Sequence, residues 1–195
     1  YNGAGVSVGD INNDGLPDIY LAGNSVKDRL YLNKGNFKFK DITEESGIGK
    51  ENYGWSFGVN MIDINADGYL DIYVCKAGPY KEEKYLRNRL FINNGDGTFV
   101  ERTQVLNVGS IKDKTWMAAP IDANEDGRWD IYIANDFDEN ELFIQNGDQT
   151  FIDKASDYFA NFYGNDMGIA IGDYDNDGAL DFYVTNITEN RLFSL

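Results

Sequence analysis

The stretch DINNDGLPD, Asp10–Asp18, returns three times in this 195-residue chain: as DINADGYLD (Asp63–Asp71), DANEDGRWD (Asp122–Asp130) and DYDNDGALD (Asp173–Asp181). The copies start at residues 10, 63, 122 and 173, so they lie 53, 59 and 51 residues apart. A period near fifty is that of propeller blades and is longer than helical repeats. The flanks repeat too. Each copy runs into a short β-branched and aromatic segment: DIYLA from Asp18, DIYVC from Asp71, DIYIA from Asp130 and DFYVT from Asp181. Such segments suit buried strands. RLYLN from Arg29, RLFIN from Arg89, ELFIQ from Glu141 and RLFSL from Arg191 read as third strands. Asn94-Gly95-Asp96-Gly97 and Asn146-Gly147-Asp148 are hairpin turns that lead into fourth strands near Thr98–Glu101 and Thr150–Asp153. First strands precede the loops, with Val6 and Val8, Val59 and Met61, and Ile169 and Ile171 alternating with small or polar residues. In the third unit Pro120 predicts an edge strand, since proline cannot donate to a ladder.

The pattern predicts an all-β fold, a β-propeller of four-stranded antiparallel blades at about 1–50, 51–109, 110–160 and 161–195. A single such sheet cannot bury both faces, and radial stacking of neighbours buries them. Residues 76–88 form an insertion in the second unit. The fourth unit ends within its third strand, its last strand absent, which favours a piece of a larger ring; the opening at Tyr1 without a charged or apolar leader reads as a mature or internal piece.

The loops carry the chemistry. In the first, Asp10, Asn12, Asp14 and Asp18 occupy positions 1, 3, 5 and 9, Gly15 occupies position 6, and Leu16 offers its carbonyl at position 7. The matching sets are Asp63, Asn65, Asp67, Tyr69 and Asp71; Asp122, Asn124, Asp126, Arg128 and Asp130; and Asp173, Asp175, Asp177, Ala179 and Asp181. A tight turn makes the oxygens of positions 1, 3 and 5 converge, and hard cations take six to eight oxygen ligands. An EF-hand would need Glu at position 12 between helices. Here Leu21, Val74, Ile133 and Val184 stand there, all in strands, so Asp at position 9 is expected to close the site. The expectation is about four Ca2+ ions, one per blade, in a structural role. The alternative is four acidic surface turns, since Asp, Asn and Gly favour turns by themselves. Recurrence in register argues against it, as does the repulsion of a few kcal/mol among three carboxylates about 5 Å apart at intermediate dielectric.

Composition agrees. A formal net charge of -16, with no His, opposes nucleic acid and anionic membranes and removes the commonest general base. No apolar run is long enough to span a bilayer. Cys75, the single cysteine, reads as a small buried hydrophobe.

The Asp-rich loops, the strands after them, Phe57-Gly58, and the stretches YNGAGVSVGDINNDGLPDIY, NNGDGTF and MGIAIGDYDNDGALDFYVTN together resemble FG-GAP/VCBS repeats. These are the blades of the integrin α-subunit propeller, and the likeness extends to secreted bacterial VCBS proteins with ASPIC/UnbV domains and to cartilage acidic protein. No ASPIC/UnbV segment lies in this chain. The resemblance implies a seven-bladed ring, calcium in its loops, and an extracellular or cell-surface role in adhesion, recognition or scaffolding. The third unit departs from it at Met117, where the others carry Gly5, Gly58 and Gly168, which puts the geometry of that strand in question.

Two functions compete. One is a secreted or cell-surface interaction module (a bacterial outer surface or the periplasm included) that holds a protein or glycan ligand on its rim, beside further blades or domains of a longer chain. The other is a carbohydrate-active enzyme of polysaccharide-lyase type, with Lys81, Lys84, Arg87, Tyr80 or Tyr85 of the insertion as base; their plainer reading is a solvated loop. Trp55, Trp116, Tyr80, Tyr158, Phe159 and Tyr163 are conceivable glycan platforms, against a plainer reading as inter-blade packing. Trp129 matches Pro17, Leu70 and Leu180 and reads as packing. Asn186-Ile187-Thr188 is a glycosylation triplet of low specificity.

Overall fold

Each Asp-rich stretch reverses the chain between two antiparallel strands. Gly9 pairs with Asp18, Ile62 with Asp71, Ile121 with Asp130 and Gly172 with Asp181 at the mouths of the four loops. The structure, a computed structural model, describes residues 4–51, 54–79, 81–110, 112 and 114–194. The first unit is β1 (Val6–Gly9), β2 (Asp18–Leu21), β3 (Arg29–Asn33) and β4 (Phe39–Asp41). The second is β5 (Trp55–Ile62), β6 (Asp71–Ala77), β7 (Arg89–Asn93) and β8 (Phe99–Glu101). The third is β9 (Thr115–Ile121), β10 (Asp130–Glu139), β11 (Glu141–Gln145) and β12 (Phe151–Asp153); β13 (Tyr163–Gly172), β14 (Asp181–Asn186) and β15 (Arg191–Phe193) begin a fourth. Strands are antiparallel and neighbour one another in chain order within each unit. The described residues contain no α-helix, only short 3-10 turns at Ile48–Glu51 and Glu83–Tyr85.

Period-two alternation gives each sheet two apolar faces, and neighbouring units pack them together. Tyr20, Leu30, Ile11 and Ile42 meet Val59, Ile72, Val74 and Phe91 of the second unit. Tyr73, Cys75, Leu90 and Ile64 meet Ile131, Ile133 and Phe143 of the third. Tyr132, Leu142 and Ile144 meet Phe182, Val184 and Phe193 of the fourth. The equivalent leucines Leu30, Leu90 and Leu142 are fully buried, each contributing about 1.5–3 kcal/mol.

The first strands of neighbouring units lie side by side. Gly5 N–H donates to Phe57 O at 2.8 Å, and the Asn60 amide donates to Ala118 O at 2.8 Å. This closeness explains the recurring glycine. A β-carbon on Gly5 would lie 2.1 Å from Phe57 O, and one on Gly58 would lie 2.7 Å from Trp116 O. Met117 stands at the equivalent place in β9, and the strand keeps the irregularity of its relatives: the register with β10 shifts between Ala134 and Asn135, as β5 shifts between Ser56 and Val59. β9, carrying Pro120, has β10 as its ladder partner, the edge position that the proline predicted.

Separate four-stranded blades were expected throughout, and here the third and fourth depart. The end of β10 pairs with the start of β13, Asp136 with Asn165 and Glu139 with Tyr163, so the two units form one seven-stranded sheet. The same contact begins modestly earlier, as Ser56 N to Gly23 O at 3.0 Å and a bridge between Ala77 and Lys114. It lengthens at the third junction because β10 runs ten residues, with a bulge at Phe137 (φ 64°).

An Asx residue before each third strand closes the hairpin from the second. Asp28, Asn88, Asn140 and Asn190 accept, through Oδ1, the backbone N–H of Gly23, Lys76, Asn135 and Asn186. The first three also reach the next unit's first strand. Ser56 Oγ donates to Asp28, Asn88 donates to Thr115 Oγ1, and Asn140 donates to Asp166. At the first junction Lys76 is buried against this network, 2.6 Å from Ser56 Oγ and 3.6 Å from Asp28. Asn88→Ala therefore strands the buried backbone N–H of Lys76 and removes the donor to Thr115 Oγ1, which keeps its own bond to Asn135. It should lower unfolding free energy by about 2–3 kcal/mol, read by urea denaturation, whereas Asn94→Ala in an exposed hairpin should change it by less than about 1 kcal/mol.

Candidate metal centres

The four loops share one backbone conformation. Position 4 lies in the left-handed region at Asn13 (φ 57°), Ala66 (57°), Glu125 (56°) and Asn176 (63°). Position 6 does so at Gly15 (83°), Gly68 (90°), Gly127 (82°) and Gly178 (98°). Glycine takes this region without strain, as the sequence implied for position 6; position 4 was not anticipated, since four different contexts hide it.

Position 1 organises the turn. Asp10 accepts Asp14 N–H at 3.1 Å and Gly15 N–H at 2.7 Å. Asp63, Asp122 and Asp173 accept the same pair of amides in their loops. Position 3 contributes an oxygen that accepts the position-5 N–H: Asn12, Asn65, Asn124 and Asp175. Position 5 receives the N–H of position 7 on one oxygen, Leu16 to Asp14, Tyr69 to Asp67, Arg128 to Asp126 and Ala179 to Asp177. In the fourth loop one carboxylate oxygen from each of Asp173, Asp175 and Asp177 lies within 4.8 Å of the others, all three exposed. In the first three loops the asparagine amide of position 3 instead donates to the position-5 carboxylate, easing repulsion. In the third loop the Arg128 guanidinium also pairs with Asp126, so this loop carries a cation of its own.

Position 9 behaves differently from the rest. Asp18, Asp71, Asp130 and Asp181 are buried. One oxygen accepts the N–H of position 2, from Ile11, Ile64, Ala123 or Tyr174 at 2.8–3.1 Å. In the first three units the other oxygen accepts the N–H at the end of the third strand: Asn33, Asn93 and Gln145 at 2.7–2.8 Å. Burial pushes these carboxyls up, Asp71 to about 7 and Asp130 to about 6, with the neighbouring loop aspartates adding to the effect, and Asp18 moves the same way. The donor set fits a hard divalent cation. It is all oxygen, its carboxylates converge, and a buried anion beside them is held at an electrostatic cost that positive charge relieves.

The other candidates scatter. Trp116 packs edge-on to Phe57 at 4.6 Å between ring centres. With Trp55, Ala77, Pro79 and Lys114 these rings wall a cavity of about 350 Å3 at the sheet ends opposite the loops. Phe159 and Tyr163 are largely exposed, Tyr158 packs on the third core cluster, and Trp129, expected to pack, is 39% exposed. Lys84 pairs with Glu82 and lies over the Tyr85 ring on the short 3-10 turn. Lys81 is exposed and Arg87 half-buried, and Tyr80 lies outside the described residues.

A family model described as "FG-GAP-like repeat" matches residues 2–74, 83–133 and 122–184. Among curated proteins, cartilage acidic protein 1 of Xenopus tropicalis is 35% identical over 80 residues, 40% of this chain and 12% of that protein. Integrin alpha-8 of Gallus gallus is 34% identical over 125 residues, 55% of this chain and 11% of that protein. The chain thus spans about a tenth of the length of either relative.

The raised position-9 carboxyls give a pH dependence with a definite sign. An acid whose folded pKa lies above its unfolded value, near 4, adds stability as pH falls through the folded pKa and loses it as pH rises. In chelator, the melting temperature should rise between pH 8 and pH 5.5, and Asp71→Asn should remove a share of that rise.

Proposed function

The chain belongs to the FG-GAP-like repeat family, and on that footing we propose that it is a calcium-braced segment of an extracellular or cell-surface propeller that holds a protein or glycan partner. The observation that carries this is the fourfold loop in one register, with oxygen donors at positions 1, 3, 5 and 9 each time.

Asp10, Asn12, Asp14 and Asp18, with the Leu16 carbonyl, would hold the first ion, and the equivalent residues the other three. Bound calcium supplies positive charge among carboxylates that otherwise repel. The chain's own work is to fix the first strand to the second through the position-1 and position-9 aspartates. Extracellular sites of this kind fill at calcium concentrations of about 0.1–1 mM, which favours a location outside the cytosol. Among the described residues no helix is long and apolar enough to cross a membrane. The likeness to integrin alpha-8 supports a partner-binding role. The cavity between Trp55 and Trp116 is suited to a partner's anchor group, being apolar, aromatic and partly enclosed.

Calcium at about 100 times its dissociation constant adds about 2.7 kcal/mol for each site filled. Chelation should therefore lower the melting temperature by roughly 10 °C or more and calcium should restore it. Asp14→Ala, Asp67→Ala, Asp126→Ala and Asp177→Ala should each remove part of the response. A melting curve that neither chelator nor calcium moves overturns the reading. Catalysis is not expected. Incubation with acidic polysaccharides should give no unsaturated-product absorbance, and a signal lost in Lys84→Ala or Tyr85→Phe would replace the interaction module with a lyase.

A further inference from the structure

The position-9 carboxylates of the first three loops are linked through hydrogen bonds and the short covalent spans of the residues between them. Asp18 Oδ2 accepts Ile11 N–H at 3.0 Å, and Ile11 O accepts the Asn93 side-chain amide at 2.8 Å. The backbone N–H of the same Asn93 donates to Asp71 Oδ1 at 2.8 Å. The pattern then repeats one unit on. Asp71 Oδ2 accepts Ile64 N–H at 3.1 Å, Ile64 O accepts the Gln145 amide at 2.9 Å, and Gln145 N–H donates to Asp130 Oδ1 at 2.8 Å. Asn93 and Gln145 are almost wholly buried. Each also donates to the position-8 carbonyl of its own loop, Leu70 or Trp129. A single side chain thus holds two loops from adjacent blades. Asn33, the same residue of the first unit, donates to Pro17 O of its own loop and, among the described residues, to no neighbouring unit. In the fourth unit the equivalent residue is Leu195, which has no amide to offer.

We propose that Asn93 and Gln145 are positioning residues that couple the cation loops of the first three blades, so that filling one loop orders the next and raises its affinity, while the fourth loop fills independently. The inference rests on the calcium reading above. Its physical basis is that a cation fixes the carboxylate beside it, and a buried side chain bonded to both loops passes that positional order from one to the next. A loop already ordered by its neighbour loses less conformational freedom when it binds. Loops one and two have a second link on the surface, Asn13 Nδ2 to Gly68 O at 2.9 Å. Ala66 holds the equivalent place in the second loop and can make no such bond. Gln145 is therefore the sharper test.

The experiment is calcium titration by isothermal calorimetry of the whole chain, with thermal melting in parallel. The comparison sets wild type against Gln145→Met, which keeps the volume and removes the amide, and against Asn33→Leu, which removes an amide that crosses no junction. Wild type should show a Hill coefficient above one for part of its sites. Gln145→Met should bind the same number of ions with that cooperativity reduced and the third loop weakened roughly five- to tenfold. Asn33→Leu should keep the cooperativity. Should Gln145→Met fail to fold, Asn93→Leu, which installs the residue found at position 195, makes the same comparison at the first junction. Binding without cooperativity in wild type, or an isotherm that Gln145→Met leaves unchanged, overturns the coupling while leaving calcium binding intact. No heat and no melting shift in any protein overturns both.

Discussion

A buried aspartate that begins each second strand, accepting one backbone N–H from the loop before it and, in three units, another from the third strand, fixes the geometry on which the remaining structure is built. A carboxylate placed there satisfies donors that no strand partner can reach, and it sets where the loop begins to turn. With that corner fixed, the first and second strands enter their ladder in one register, and the alternation of side chains then decides which residues face each neighbour. At Asp18, Asp71 and Asp130 the same corner is electrostatically costly, since burial and adjacent loop aspartates both oppose its charge. Strand register and electrostatic cost are thus two aspects of one arrangement.

The blades are fastened at both ends by short polar side chains acting across the junctions. At the loop end, Asn93 and Gln145 reach back to the preceding unit. At the opposite end, Asp28, Asn88 and Asn140 engage the following one. Apolar packing fills the space between, with the equivalent tyrosines Tyr20, Tyr73 and Tyr132 buried at three successive junctions. The packing is non-directional and supplies most of the driving force, whereas the amides specify angle and offset. The junction where the glycine of the first strand is replaced by Met117 is also the one where backbone pairing between β10 and β13 takes over part of that task.

Much of this was legible in the sequence, because the repeat multiplies weak signals. One Asp-rich turn says little, but four in register, each followed by a DIYV-type strand, define loops, strands and order together. The family assignment follows from the same residues. What stayed hidden is long-range. Asn93 and Gln145 were legible as the ends of third strands, but their second partners, Ile11 and Ile64, lie about eighty residues away. The Asx residues before the third strands do recur ahead of an RL or EL pair, a signal that comparison of the units could have caught. The continuity of the third and fourth sheets follows from the length of β10, which an acidic segment such as DFDE does not advertise. Trp129 misled because equivalence does not mean burial: this position is exposed at Pro17 and only half-buried at Leu70 and Leu180.

The lone thiol completes the physical picture. Cys75 sits in the middle of β6 with no exposed surface, and burial drives its ionisation far upward, so its sulfur stays protonated and shielded from oxidants. With one cysteine the chain can form no internal disulfide. Many small domains outside the cell depend on covalent staples and fail in reducing surroundings. The folding of these residues owes nothing to that chemistry, so a disulfide reductant has no bond within this chain to break and leaves its shape as it was.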